Sequence, residues 1–140
     1  MEWIKVSVDW GVIGLLLALS IISFGIGLER WLFYRHIIVT DFQDKRKLEI
    51  TLTAKLHLLA TIGSNAPYIG LLGTVLGIML TFHTIGQQGY METAKIMTSL
   101  ALALKATAMG ILVAIPSVAL YNTLLRRVKV LLTEWDIAHG

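Results

Sequence analysis

The chain has 140 residues, 56% of them hydrophobic and only 15% charged, with a mean hydropathy of +0.73. That balance excludes an ordinary soluble domain of this size and marks a small integral membrane protein. The absence of cysteine excludes disulfides, thiolate chemistry and cysteine-ligated metals, and the net charge of +3 is better explained by membrane topology than by nucleic-acid binding. The predicted fold class is an all-α membrane protein, a single domain over residues 1–140, with three transmembrane helices and helical cytoplasmic extensions.

The first ten residues carry Trp3 and Trp10 at the start of an apolar run, where tryptophan reads as an interfacial anchor. A signal peptide is the competing reading for this run, but Glu2 and Asp9 oppose Lys5 ahead of it and no small-residue cleavage site follows. The first span is therefore expected over residues 11–28, closed by Glu29 and Arg30. Residues 35–64 turn polar, yet Leu48, Leu52, Leu56, Leu59 and Ile62 recur at helical spacing. That pattern predicts one amphipathic cytoplasmic helix over about 40–63.

The central stretch, 66–85, has no formal charge and at 1.5 Å per residue is long enough to cross about 30 Å of hydrocarbon. Its small and hydroxyl residues, Gly70, Thr74, Gly77, Thr81 and Thr84, follow at steps of 4, 3, 4 and 3 and so share one side. Lipid has no preference for such a stripe; a neighbouring helix or a wetted interior does. A polar turn over 86–95 precedes the third span, 96–120, which Lys105 and Pro116 interrupt and in which Ala103, Thr107, Gly110, Ala114 and Ser117 repeat the same steps. Matching stripes joined by a short turn predict an antiparallel hairpin. The third helix is expected to continue into water over 122–136, with Leu124, Val128, Leu131 and Trp135 on one side.

Nine basic residues, Arg30, Arg35, Lys45, Arg46, Lys47, Lys55, Arg126, Arg127 and Lys129, fall on one side of these spans, against Lys5 and Lys95 on the other. The positive-inside rule then puts the 30–65 segment and the C-terminus in the cytoplasm and the N-terminus outside. Catalysis has no support: His36, His57, His83 and His139 are scattered, and neither a zinc-binding histidine pair, a phosphate-cradling glycine loop nor a nucleophile elbow is present. No cofactor and no metal site is expected.

Two stretches resemble a known family. Residues 66–79, APYIGLLGTVLGIM, look like the second-helix signature of the ExbB/TolQ/MotA proton-channel family. Ala106 to Gly110, then Ala114 to Pro116 and Tyr121 and Asn122, resemble that family's third helix and its exit. The resemblance covers 64–122 well and thins out in the first helix and the loop. It implies an inner-membrane energiser of the ExbB type, a homo-oligomeric ring, usually a pentamer, around the single spans of an ExbD-like partner. Proton flow through that assembly drives TonB and hence outer-membrane nutrient import. A TolQ-like subunit of a Tol-Pal system is the second reading and an accessory structural subunit without ion flow the third. A MotA-type stator has no room here for its large cytoplasmic region.

By this resemblance Thr74 and Thr107 match the threonines that line the ring interior, where hydroxyls hold water beside a titrating group without adding charge. The protonatable aspartate would belong to the partner, since the three spans contain no carboxylate. Gly70, Gly73, Gly77 and Gly110 are expected to pack helices, and Pro67 and Pro116 to shape a helix entry and a bend. Thr81 and Thr84 either extend the polar lining or bond back to their own helix. Near the outer end of the second span, His83 reads as an interfacial polar residue or a proton relay. In one respect the sequence departs from the family: the glutamate often found five residues before the third-helix threonine is Leu102 here, with Lys105 nearby. Lys105 lies about 200° round the helix from Thr107. It either snorkels or pairs within the ring, or it meets an acidic group of the partner and gates proton flow.

Overall fold

The computed structural model describes residues 2–140, so Met1 lies outside the described residues. Helix α1 runs Glu2–His36, α2 Lys45–Thr53, α3 Leu56–Gln88 and α4 Thr93–His139, with a 3-10 turn at Val39–Asp41 between the first two. Among the described residues there is no strand. Three of the helices, α1, α3 and α4, are long and apolar enough to cross a membrane. At 1.5 Å per residue they measure about 50 to 70 Å, so each also projects beyond the hydrocarbon.

Helices α3 and α4 form the antiparallel hairpin that their stripes predict. Close approaches pair Gly63 with Val118, Gly70 with Gly110, and Gly77 with Ala103, one number rising as the other falls. Gly89, in the left-handed conformation at φ 74°, ends α3 and donates its N–H to the carbonyl of Ile85, which lets the chain reverse. Helix α1 lies parallel to α4, with Ser23 against Ser117 and Gly27 against Leu120.

The segment predicted as one helix over 40–63 is divided instead. Helix α2 starts at its cap Asp44, whose carboxylate accepts from the N–H of Arg46. It stops at Thr53, and Lys55 takes φ 68° before α3 begins at Leu56. Because the stripe Leu56, Leu59, Ile62, Gly63, Ala66, Gly70 is unbroken and buried, the second half of the amphipathic segment is the first three turns of the membrane helix. The break lets α2 fold back. Leu48 and Leu52, both fully buried, join Tyr34 of α1 and Leu124, Val128 and Leu131 of α4 in one apolar cluster. Burying two leucines from water is worth about 1.5 to 3 kcal/mol each, more than the about 1 to 2 kcal/mol that a left-handed lysine costs. Neither Pro67 nor Pro116 ends a helix; Pro67 sits well inside α3 rather than at its start.

The end of α2 is held from α1. Its last carbonyls have no partner within the helix. Arg30 donates from Nη1 to the carbonyl of Thr51 at 2.9 Å, and the Tyr34 hydroxyl donates to the carbonyl of Leu52. The same guanidinium holds both oxygens of Glu29, at 2.6 Å through Nε and 2.6 Å through Nη2, and lies 4.5 Å from the Phe33 ring centre. Farther along, Trp135 Nε1 donates to the carbonyl of Phe42 at 2.8 Å and Lys45 pairs with Asp136 at 2.7 Å, tying the tail of α4 to the α1–α2 connection.

Candidate functional site

The centre of the hairpin is built from residues without bulk. A Cβ added at Gly70 would stand 2.5 Å from the carbonyl oxygen of Ala106, and one at Gly110 would stand 2.5 Å from that of Ala66. At Gly73 it would meet the Ala106 methyl at 2.9 Å and Val12 of α1 at 3.1 Å, so this glycine admits all three helices at one level. Gly77 comes equally close to Ala103, at 2.9 Å. With no water to expel between spans, such contact is what holds membrane helices together.

Close backbones bring two hydroxyls together. Thr74 of α3 and Thr107 of α4 are hydrogen-bonded to each other, and Thr74 also reaches the carbonyl of Ala103 at 2.8 Å and of Gly70 at 3.3 Å. Thr74 is 6% exposed, whereas Thr107 is half-buried. A hydroxyl has one hydrogen. With that of Thr74 donated to Ala103, Thr107 donates to Thr74 and keeps lone pairs on its open side. Those can accept a hydrogen bond from water or from the O–H of a protonated carboxyl group.

The other sequence candidates lie elsewhere. Thr81, 3% exposed, donates to the carbonyl of Gly77 at 2.9 Å, and Thr84 donates to Leu80 at 2.9 Å, which is the back-bonded arrangement. His83 is exposed near the α3 end. Lys105 is exposed on the side of α4 away from the threonine pair and, with Leu102, opens on a cleft against Asp9 and Trp10 of α1. No group of three or more His, Cys, Asp or Glu side chains among the described residues could hold a metal ion.

Two polar contacts carry little signal in the sequence. Ser23 and Ser117 share a 2.7 Å hydrogen bond, both 2% exposed, and Ser117 also reaches the carbonyl of Val113 at 2.9 Å. Ser117 belongs to the small-residue stripe of α4, but nothing in the first apolar run distinguishes Ser23 from Ser20. Arg30, 6% exposed, reads in the sequence only as a boundary charge.

Residues 38–137 match the model of the MotA/TolQ/ExbB proton channel family. A Helicobacter pylori protein named as a biopolymer transport protein, ExbB-like 2, is 56% identical over 135 residues, covering 96% of this chain and 90% of its own. The biopolymer transport protein ExbB of Aquifex aeolicus is 52% identical over 140 residues, covering 100% of this chain and 95% of its own. The Tol-Pal system protein TolQ of Pseudomonas aeruginosa is 43% identical over 101 residues, 72% of this chain and 42% of that protein.

Proposed function

Because the chain belongs to the MotA/TolQ/ExbB proton channel family, we propose that it is the ring-forming subunit of a proton-driven energiser in the bacterial inner membrane, acting in biopolymer transport of the ExbB kind. The observation that carries this reading is the hydroxyl pair Thr74 and Thr107, held in contact where the two small-residue faces meet. It offers an acceptor without a charge. A titrating carboxyl must then come from elsewhere, since residues 11–28, 66–85 and 96–120 hold none. An ExbD-like single-span protein with a membrane aspartate supplies it. When that aspartate is protonated, the lone pairs of Thr107 accept its O–H; when it is ionised, water bridges the two.

The chain works as a homo-oligomer, a pentamer in this reading, with the hairpins around the partner's spans. The α2 end and the C-terminus face the cytoplasm and the N-terminus the periplasm, following the basic residues. A TonB-like protein takes up the stored energy. Similarity to TolQ keeps a Tol-Pal role as the second reading.

Thr→Val keeps the shape and removes the hydroxyl. Thr74→Val and Thr107→Val are each expected to abolish partner-dependent uptake of iron chelates while the complex with the partner still assembles. Full uptake in both variants refutes the pore-lining role. Rescue of outer-membrane integrity in a Tol-deficient strain, without rescue of uptake, selects the second reading.

A further inference from the structure

Among the described residues Lys105 is the one basic residue inside the 96–120 span. It opens on a cleft of about 310 Å³ between α1 and α4, whose α1 side Asp9 lines. No ion pair joins the two side chains. The cleft is therefore lined by one carboxylate and one ammonium group that are not in contact, and Ile13, Leu102, Ala106 and Met109 make its apolar wall. Trp10, 71% exposed, stands beside it.

Depth identifies what covers such a cleft. From Asp9 to the Glu29–Arg30 pair, α1 rises about 30 Å, one hydrocarbon thickness. With Arg30 at one boundary, Asp9, Trp10 and Lys105 lie at the other, the level of the lipid headgroups, where an exposed tryptophan is at home. From there the apolar wall continues towards the bilayer centre through Ile13, Ala106 and Met109, while Leu102 lies on the headgroup side of Lys105. We propose that the Asp9–Lys105 cleft is a binding site for a zwitterionic phospholipid with a primary ammonium, phosphatidylethanolamine in kind. Its phosphate takes hydrogen bonds from Lys105 Nζ, its ammonium donates to the Asp9 carboxylate, and an acyl chain lies along Ile13, Ala106 and Met109.

Charge complementarity excludes the simpler lipids. An anionic headgroup satisfies Lys105 but is repelled by Asp9, and a quaternary ammonium has no hydrogen to donate to a carboxylate. A bound zwitterion neutralises both protein charges without drawing α1 and α4 together, so the cleft keeps its width. The site lies away from the Thr74–Thr107 pair and does not depend on the proposed function.

The test is native mass spectrometry of the full-length protein, released from mild detergent with phosphatidylethanolamine, phosphatidylglycerol or phosphatidylcholine of identical acyl chains. The wild-type chain is expected to retain the ethanolamine lipid at least about tenfold better than either competitor, the worth of one charge-assisted hydrogen bond. Asp9→Asn is expected to erase the preference over phosphatidylglycerol, Lys105→Gln to lose retention of all three, and Lys105→Arg to keep it. Equal retention of the ethanolamine and glycerol lipids by the wild type overturns the proposal in favour of a plain anion site. Retention of none overturns it too, and then recovery of thermal stability in the swap Asp9→Lys with Lys105→Asp identifies a direct ion pair instead. The wild-type comparison needs no variant, so it decides the matter even where a substitution misfolds.

Discussion

Gly70 and Gly110 face carbonyl oxygens of the opposite helix, which are backbone and cannot swing aside. Gly70→Ala is expected to cost about 1 to 3 kcal/mol by overpacking, read as a lower unfolding temperature in detergent. Gly25, with nothing near its Cβ position, is the control: Gly25→Ala is expected to be neutral or to stabilise by up to about 1 kcal/mol. Arg30 is a different kind of single-residue dependence. Arg30→Met leaves the Thr51 carbonyl without its donor and Glu29 without its bidentate partner. A loss of about 2 to 3 kcal/mol is expected, with Arg30→Lys recovering only part of it because an ammonium cannot reproduce the fork. The threonines and glycines of this set are legible in the sequence as residue types at helical spacing. Ser23 is not, because its partner stands 94 residues away in the chain.

Among the elements, α2 is the one whose placement rests on local chemistry at both ends. At its start, the N–H of Arg46 and then the Arg46 side chain hold the Asp44 carboxyl below the usual carboxylate range. Since the folded state depresses this group, its contribution is complete above the unfolded value, near pH 4, and fades as pH falls through the folded one. Protection of the first α2 amides against hydrogen exchange, taken relative to the intrinsic rate at each pH, is expected to be constant near neutrality and to fall in acid, an acid response that Asp44→Asn abolishes. At its far end Lys55 holds a positive φ. Lys55→Gly is expected to be neutral or to stabilise by up to about 1 kcal/mol, because the exposed 3.9 Å contact with Glu29 contributes little, whereas Lys55→Val is expected to cost about 1 to 2 kcal/mol. Limited proteolysis at 54–55 reads both. The leucine period announces a helix here but does not report its interruption, since it runs on from Leu52 to Leu56 and Leu59 across the break.

The molecule as a whole divides into two layers held by different forces. At the α2 end, leucines, Tyr34 and Val128 are removed from water and the hydrophobic effect applies. Between the spans, glycine, alanine, threonine and serine contacts flank a smaller apolar cluster of Leu16, Ile62 and Val113, and packing contact and hydrogen bonding replace it. Outside both layers, large side chains such as Tyr68, Leu72, Met79, Phe82, Leu112 and Ile115 remain exposed in the single chain. These are surfaces for lipid or for further copies. Co-expressed with an aspartate-bearing single-span partner, the chain is expected to purify as a closed homo-oligomer that retains the partner; a monomer that ignores it refutes the ring.

Three apolar helices, the small-residue faces of α3 and α4, the hairpin between them and the basic asymmetry are properties of composition and period, which a chain carries in any conformation. Whether a stripe is packed, and against what, is decided by the register of one helix on another. Only the packed chain puts Thr74 against Thr107, divides the 40–63 segment at Lys55, joins Ser23 to Ser117 and sets Asp9 across a cleft from Lys105. Each of these joins residues distant in sequence or overrides a local period. The backbone approach that glycine permits, and the water-driven burial of Leu48 and Leu52, exist only once the helices have met.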